Sequence, residues 1–457
     1  MTPAGTPSQL RRTFCTFPGG VAWPDHPLTW FKRDTNISLR VGSRLPAMTA
    51  VGFCGHWFLF TCDTKLVAVH TKQSRDPFVF DCSRAEKKPN LSQADSSRDG
   101  GPAEETGSDR VLTFTVSSSG RLVALTDDSK RLVLLACEPS WRCISIRCVV
   151  RRCTSLAFSQ AEDELLVADK SGDVYSFSVE DPEREAELKM GHLSMLLAVA
   201  VSPGDRYVIT ADRDEKIRVS HRRSPYNIQS FCLGHEQFVS ALQIPSGHPH
   251  WLLSGSGDGT VKLWEYESGR RLQSWDLRQL AETPGCETDK DQNPAVCRVS
   301  VSPDGLHVAV QCERVRMVQF FILDEGSEKK LVPRSRQPLS HCPLDMTFDP
   351  DGRLWVLLDH SDALIQIHRL TQDSWENHTK DPELSRVQEV LQTHWKTLQA
   401  SARTSSRFEQ LYKTSYDNVT TYLQKKQQRL EEQQKRTKAQ EENANKRLKK
   451  EASGGGT

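Results

Sequence analysis

Residues 191–220 read GHLSMLLAVAVSPGDRYVITADRDEKIRVS. A Gly-His pair leads into an apolar run, a Ser-Pro-Gly-Asp turn, a second apolar run, a charged turn and a third run. Short apolar or alternating runs bounded by turn residues are strands. Proline presets the first turn torsion and Gly or Asp tolerates the next, so Ser202-Pro203-Gly204-Asp205 reverses the chain tightly. The stretch therefore reads as consecutive antiparallel strands.

The pattern recurs along the chain. Leu132, Val174, Ile217 and Val261 each open a strand after a polar turn, at separations of 42, 43 and 44 residues. Gly-His pairs at 191–192 and 234–235 lie 43 apart. A repeat of ~40–45 residues is that of a four-stranded propeller blade. Strands at 58–82, 297–323 and 342–370 supply three further blades, for a total of seven. Ser302-Pro303-Asp304-Gly305 and Asp349-Pro350-Asp351-Gly352 occupy the place of the Ser202 turn in their blades. The expected fold is all-β: a seven-bladed WD-repeat β-propeller over 48–370 with a C-terminal helical extension. Polar segments at 84–109 and 276–294 read as loops, the first disordered.

Beyond 370 the period changes. Asp381-Pro382-Glu383 reads as an N-cap followed by proline at the first helical position. Leu384, Val387, Val390, Leu391, Trp395 and Leu398 then recur at helical spacing. Ser406-Arg407-Phe408-Glu409 reads as a capping box opening a second helix, with Phe408, Leu411, Tyr412, Tyr416, Val419, Tyr422 and Leu423 as its stripe. The helical extension is placed at 371–424 and a basic tail at 425–457. Residues 425–450 hold ten Lys or Arg against four Glu. A solvated helix, an import signal at Lys446-Arg447-Leu448-Lys449-Lys450 and a contact to RNA phosphates all fit that composition.

Composition excludes several classes. The 457 residues carry a net charge of +1, so no global field draws the chain to nucleic acid. Thirteen cysteines lie singly without a CxxC pair, which fits buried thiols in a reducing compartment rather than a disulfide framework or a zinc site. Cys143, Cys148 and Cys153 are evenly spaced, but no fourth ligand stands near. No apolar run reaches the ~18 residues of a membrane span. Residues 1–47 are basic and acid-poor, yet Pro18, Pro24 and Pro27 break any amphipathic presequence helix. They read as a disordered leader.

No catalytic motif stands out: no P-loop, HExxH, nucleophile elbow or Rossmann turn. Gly255-Ser256-Gly257-Asp258-Gly259 lies between strands, with no helix behind it to hold a phosphate. His192 and His235 open blades and read as structural hydrogen-bond partners of turn aspartates and strand hydroxyls, with Trp264 packed between blades. Asp205, Asp304 and Asp351 belong to the tight turns. The charged turn is the exception. Asp214, Glu215, Lys216 and Arg218 stand where the next blade has Asp258, Gly259, Thr260 and Lys262. Such charges either satisfy one another or aim a cation at a partner's carboxylate.

Several strings carry a resemblance: ALTDDSKRL (124–132), VADKSGDVYSFSV (167–179), GHLSMLLAVAVSP (191–203), TADRDEKIRVS (210–220), SFCLGH (230–235), SGDGTVKLWEY (256–266) and LYKTSYDNVTTYLQKK (411–426). Over about 48–430 the chain resembles the WD-repeat, non-catalytic subunit of the tRNA (guanine-N7)-methyltransferase, animal type. That resemblance implies a propeller without an active site or cofactor of its own. It implies a heterodimer with a Rossmann-type methyltransferase that carries S-adenosylmethionine and forms N7-methylguanosine in tRNA. The implied partner interface is the blade-four turn, with Lys216 and Arg218 as cations held by Asp214 and Glu215. Lys425, Lys426, Arg429, Lys435 and Arg436 are the implied tRNA contacts, and a nuclear location without membrane association is expected. The sequence departs from the family of WD propellers in lacking most Trp-Asp endings; Trp264-Glu265-Tyr266-Glu267 also lacks the Asp and Arg of cullin-ligase receptors. A scaffold or ubiquitin-ligase substrate receptor, and an independent RNA-binding propeller, stand as alternatives.

Overall fold

The computed structural model describes residues 49–86, 107–278, 294–372, 374–379, 381–402, 406, 408–413, 422–433 and 435. The leader reading for 1–47 and most of the tail lie outside them. Among the described residues, 28 strands, β1 to β28 in chain order, form seven four-stranded antiparallel sheets. These blades span 51–81, 111–148, 153–191, 196–232, 239–276, 296–338 and 343–377. Within each blade the strands follow chain order. Turns between second and third strands therefore share one face, here the upper face, with the links between blades.

Burial follows from sheets stacked face to face. A middle strand has a neighbouring blade on both sides, so β14 (Tyr207–Asp212) and β18 (Trp251–Ser256) are buried throughout. First strands line a central channel of about 660 Å³. Trp264 is fully buried among Tyr207, Ile209 and Val219, between the fourth and fifth blades.

The boundary expected at 370 falls short: β28 (Ser374–Asn377) completes blade 7. Its one large apolar residue, Trp375, stacks on Phe320 of blade 6 at 4.5 Å between ring centres, a contact too sparse to show as a periodic pattern. The loop expected disordered over 84–109 is pinned at both ends. One Arg131 guanidinium donates to the Ala85 carbonyl at 3.1 Å and to the Asp109 carboxylate at 2.8 Å. Residues 87–106 lie outside the described set.

Among the described residues, no strand crosses the seam between blades 1 and 7. Helix α1 (Pro382–Ala402) covers it. Asp381 caps the helix, its Oδ1 accepting the Glu383 N–H at 2.9 Å. Leu384, Val387, Leu391 and Leu398 are buried in one cluster with Phe58, Phe60, Val67 and Val69 of blade 1 and Trp355, Leu364 and Ile367 of blade 7. At the helix start, Arg353 of blade 7 pairs with Asp349, Asp381 and Glu383 at 2.6, 3.0 and 2.6 Å. Lys72 of blade 1 reaches the same Glu383 at 2.9 Å and Asp351 at 2.7 Å.

The expected helix at Ser406 does not form. Glu409–Leu411 is a single 3₁₀ turn, and Tyr412 is extended with ψ 139°. The Leu411 carbonyl, which a continuing helix would need, accepts instead from Arg213 Nε at 3.1 Å. Ser406 does accept the Phe408 N–H at 3.2 Å, but its hydroxyl donates to Glu313 at 2.6 Å. Helix is found at 422–433.

Candidate partner interface on blade 4

The blade-4 turn joins β14 to β15 (Ile217–His221). Asp212 Oδ1 accepts the Lys216 N–H at 3.0 Å. Blades 2 and 3 repeat the device: Asp127 takes the Arg131 N–H at 2.9 Å, and Asp169 takes the Asp173 N–H at 3.0 Å. The residue before each donor is left-handed, with φ of 63° at Lys130, 99° at Gly172 and 66° at Glu215. Glycine suits that region, and Glu215 enters it against its Cβ. The surrounding turn holds it there.

The two histidines occupy structural hydrogen bonds. His192 Nδ1 meets Asp212 at 3.0 Å and Nε2 meets the Thr210 hydroxyl at 2.8 Å. His235 meets Asp258 at 2.9 Å and Ser254 at 2.7 Å, and Trp264 Nε1 donates to the same Ser254 hydroxyl at 2.8 Å. Burial keeps the His235 imidazole below its ordinary pKa. Burial pushes Asp258 up, but hydrogen bonds from His235 and Thr260 outweigh it and hold the carboxyl below the usual range.

The comparison of the two blades explains the odd turn. Counting back from Ile217 and Val261, Asp214 stands at the place of Asp258. In blade 4, however, the histidine's partner is Asp212, two residues earlier. Asp214 is thereby released outward, with its side chain 42% exposed.

The released carboxylates do not hold Lys216 and Arg218, as the resemblance implied. They face Lys413: its Nζ donates to Glu215 Oε1 and lies 3.8 Å from Asp214. The Lys216 side chain is exposed, and its ammonium donates to the Asp214 main-chain carbonyl at 3.3 Å, not to a carboxylate of the turn. Arg218 is half-buried because β15 alternates, with Ile217 and Val219 turned to the core. Its Nη1 donates to the Gly191 carbonyl of blade 3 at 3.0 Å, while Nε is buried and finds no acceptor among the described residues. Burial lowers the guanidinium's pKa, and Asp212 partly offsets this.

Beside Arg218 lies a surface that the sequence reading missed. β16 (Ser224–Cys232), the outermost strand of blade 4, exposes Tyr226, Ile228 and Phe231 by 82%, 45% and 40%. Leu233 just beyond it and Leu188 on β12 (Glu187–Gly191) of blade 3 are also exposed. Phe231 stands opposite Arg218 and Ile228 opposite Ser220, with a register shift between. That extra residue keeps Ile228 and Phe231 on the face of Arg218. Outermost strands normally carry charge or proline against stray pairing. β20 (Arg270–Asp276) exposes Arg270 and Arg271, and β24 (Leu331–Pro338) exposes Pro333, Arg334 and Arg336. SPYNIQSFC holds no charge in nine positions and its one proline, Pro225, is buried, so the uncharged run was the available signal.

Lys425, Lys426 and Arg429 lie within the helical residues 422–433, and Lys435 is helical; all four are exposed. Lys425 and Arg429, four apart, share a helix face. Arg436 lies outside the described residues. Among the described residues, no group of His, Cys, Asp and Glu gathers as metal ligands.

Seven blades, histidines engaged in structural hydrogen bonds and a Trp264 packed between blades define a WD-repeat propeller. The family model described as the tRNA methyltransferase TRM82 WD40 domain matches residues 62–189 and 178–384. The tRNA (guanine-N(7)-)-methyltransferase non-catalytic subunit wdr4 of Danio rerio is 57% identical over 377 residues, 82% of this chain and 90% of the relative. The Mus musculus subunit of that name is 46% identical over 385 residues, 84% and 92% of the two chains. This chain belongs to the family of non-catalytic subunits of the tRNA (guanine-N7)-methyltransferase. A chain in a crystal structure of the mitotic checkpoint complex aligns with TM-score 0.55 at 14% identity, covering 71% of this chain and 89% of that one, a likeness of fold.

Proposed function

We propose that this chain holds a Rossmann-type, S-adenosylmethionine-dependent methyltransferase on the outer edge of blade 4 and helps to place tRNA for N7-methylation of a guanine. The observation that carries the reading is the juxtaposition of an uncharged apolar edge strand with the half-buried Arg218, whose guanidinium meets no carboxylate among the described residues. A partner carboxylate pairs with the solvent-facing edge of the half-buried Arg218 guanidinium, and the partner's apolar side chains cover Tyr226, Ile228 and Phe231. Lys216, exposed at the rim, guides the approach. The cofactor sits on the catalytic partner. The basic helix with Lys425, Lys426 and Arg429 contacts tRNA phosphates, each contact adding salt-sensitive affinity. The pair works in the nucleus, addressed by Lys446-Arg447-Leu448-Lys449-Lys450.

The test is co-purification with the catalytic subunit, followed by a methylation assay on tRNA. The chain alone is expected to be inactive. Lys216→Glu with Arg218→Glu should weaken the complex by ~2–5 kcal/mol, or roughly 30- to 4,000-fold in Kd. Methylation by the isolated chain, or an unchanged Kd in the double variant, overturns the proposal.

A further inference from the structure

Residues 406–413 belong to no blade. Every sheet has its four strands without them, and α1 already covers the seam. They cross the upper face from blade 6 to blade 4 and are tied down along the way. Phe408 and Leu411 are buried, with Phe408 stacked on Phe238 of blade 5 at 5.3 Å between ring centres. Met195 and Leu197 of blade 4 and Ala295 and Cys297 of blade 6 pack against the same cluster. Polar ties run in order along the segment: Ser406 to Glu313, Arg213 to the Leu411 carbonyl, and Lys413 to Glu215 and Asp214. The last tie ends on the charged turn beside Arg218.

We infer that this segment is a strap whose terminal tie, Lys413, is a positioning residue: it roots the basic helix at the blade-4 edge, so that phosphate contacts are delivered on the side where the catalytic partner docks. The inference rests on the function proposed above. Covalent geometry sets its scale. Nine steps separate Lys413 from Tyr422, and at ~3.3–3.6 Å per residue the helix must start within about 30 Å of Lys413. With the strap released, the preceding anchor is Ala402 at the end of α1, twenty residues from Tyr422 and up to about 70 Å away. Effective concentration falls as roughly the −3/2 power of tether length, about threefold for this change, and further because the anchor shifts across the ring. Lys413 has a second effect. It offsets one of the two negative charges of Asp214 and Glu215, which would repel an approaching phosphate.

The experiment uses the full-length chain in complex with its catalytic subunit and measures steady-state tRNA methylation. Phe408→Ser with Leu411→Ser, and separately Lys413→Glu, should raise KM for tRNA about three- to tenfold, with kcat at saturating tRNA unchanged. The Phe408/Leu411 variant should leave the Kd for the partner unchanged, and Lys413→Arg should behave as wild type. A chain ending at residue 421 is the reference. If that truncation leaves KM unmoved, the tRNA role of the basic helix fails. If the truncation raises KM while both strap variants leave it unmoved, the strap inference alone fails. Loss of thermal stability in the Phe408/Leu411 variant with unchanged KM likewise assigns the strap to stability only and overturns it. Lys413→Glu alters an exposed side chain and keeps the test open should the Phe408/Leu411 variant misfold.

Discussion

Replacing Tyr226 and Phe231 together by alanine tests whether the apolar edge of blade 4 is a binding surface. Aromatic side chains present ~150–250 Å² each, so exposures of 82% and 40% leave about 240 Å² of their surface in water. At ~25 cal/mol per Å² complete coverage is worth at most about 6 kcal/mol. Interfaces return only part of such a ceiling, because side-chain ordering and imperfect desolvation oppose it. A loss of about 2–3 kcal/mol is therefore expected, or roughly 30- to 150-fold in Kd for the catalytic subunit. Isothermal titration with the purified partner reads it directly, and thermal melting of the free chain confirms that blade 4 stays folded. Leu306→Ala is the control: it is 45% exposed, like Ile228, but sits in the first turn of blade 6, on the lower face. A double variant that binds within threefold of wild type would show that this edge is not where the partner docks.

Two further expectations concern stability. Leu391→Ala removes a fully buried side chain from the cluster that joins α1 to blades 1 and 7, and should cost about 3 kcal/mol in urea unfolding; a loss below about 1 kcal/mol would mean that the seam holds without the helix. His368 is buried with both ring nitrogens unpartnered, and burial, with His378 adding to it, pulls its pKa down to about 4. The unfolded chain, with a histidine near ~6.5, then takes the proton first, so stability is full above that pH and falls as pH drops from ~6.5 toward 4, by at most about 3 kcal/mol. His368→Leu should remove that part of the pH dependence in parallel urea titrations, and identical slopes for the two proteins would refute it.

The blades were legible because their period rests on local chemistry: tight turns, left-handed turn residues and Gly-His pairs repeat whatever surrounds them. The stripe of α1 was legible for the same reason, but its task was not. Val387 and Leu391 pack on residues more than 300 positions earlier, from Phe58 to Val69, and no periodicity reports such a contact. The Ser406 capping box misled because its local pattern is sound. What decided the segment was an arginine 198 residues away taking the Leu411 carbonyl. At the candidate site the charged turn was found, but the pairing within it was misassigned. Which aspartate serves His192 depends on a two-residue offset between blades that only the assembled turn reveals. The apolar edge was missed because an outermost strand reads like any other strand until its position in the sheet is known.

Among the described residues the ring borrows no strand across its seam, so its closure rests on side-chain packing and is tied to the order of synthesis. The face of blade 1 carrying Phe58, Phe60, Val67 and Val69 is made first, and its covering helix begins only at Pro382. At ~5–20 residues per second the ribosome needs roughly 15–70 s to cross that interval, and for most of it the blade-7 residues that share the cluster, Trp355, Leu364 and Ile367, are also still to be made. Chains ending between Asn377 and Pro382 would hold the strands of all seven blades and still lack the helix that covers this face. Such chains would leave in water the apolar face that Leu384, Val387, Leu391 and Leu398 bury.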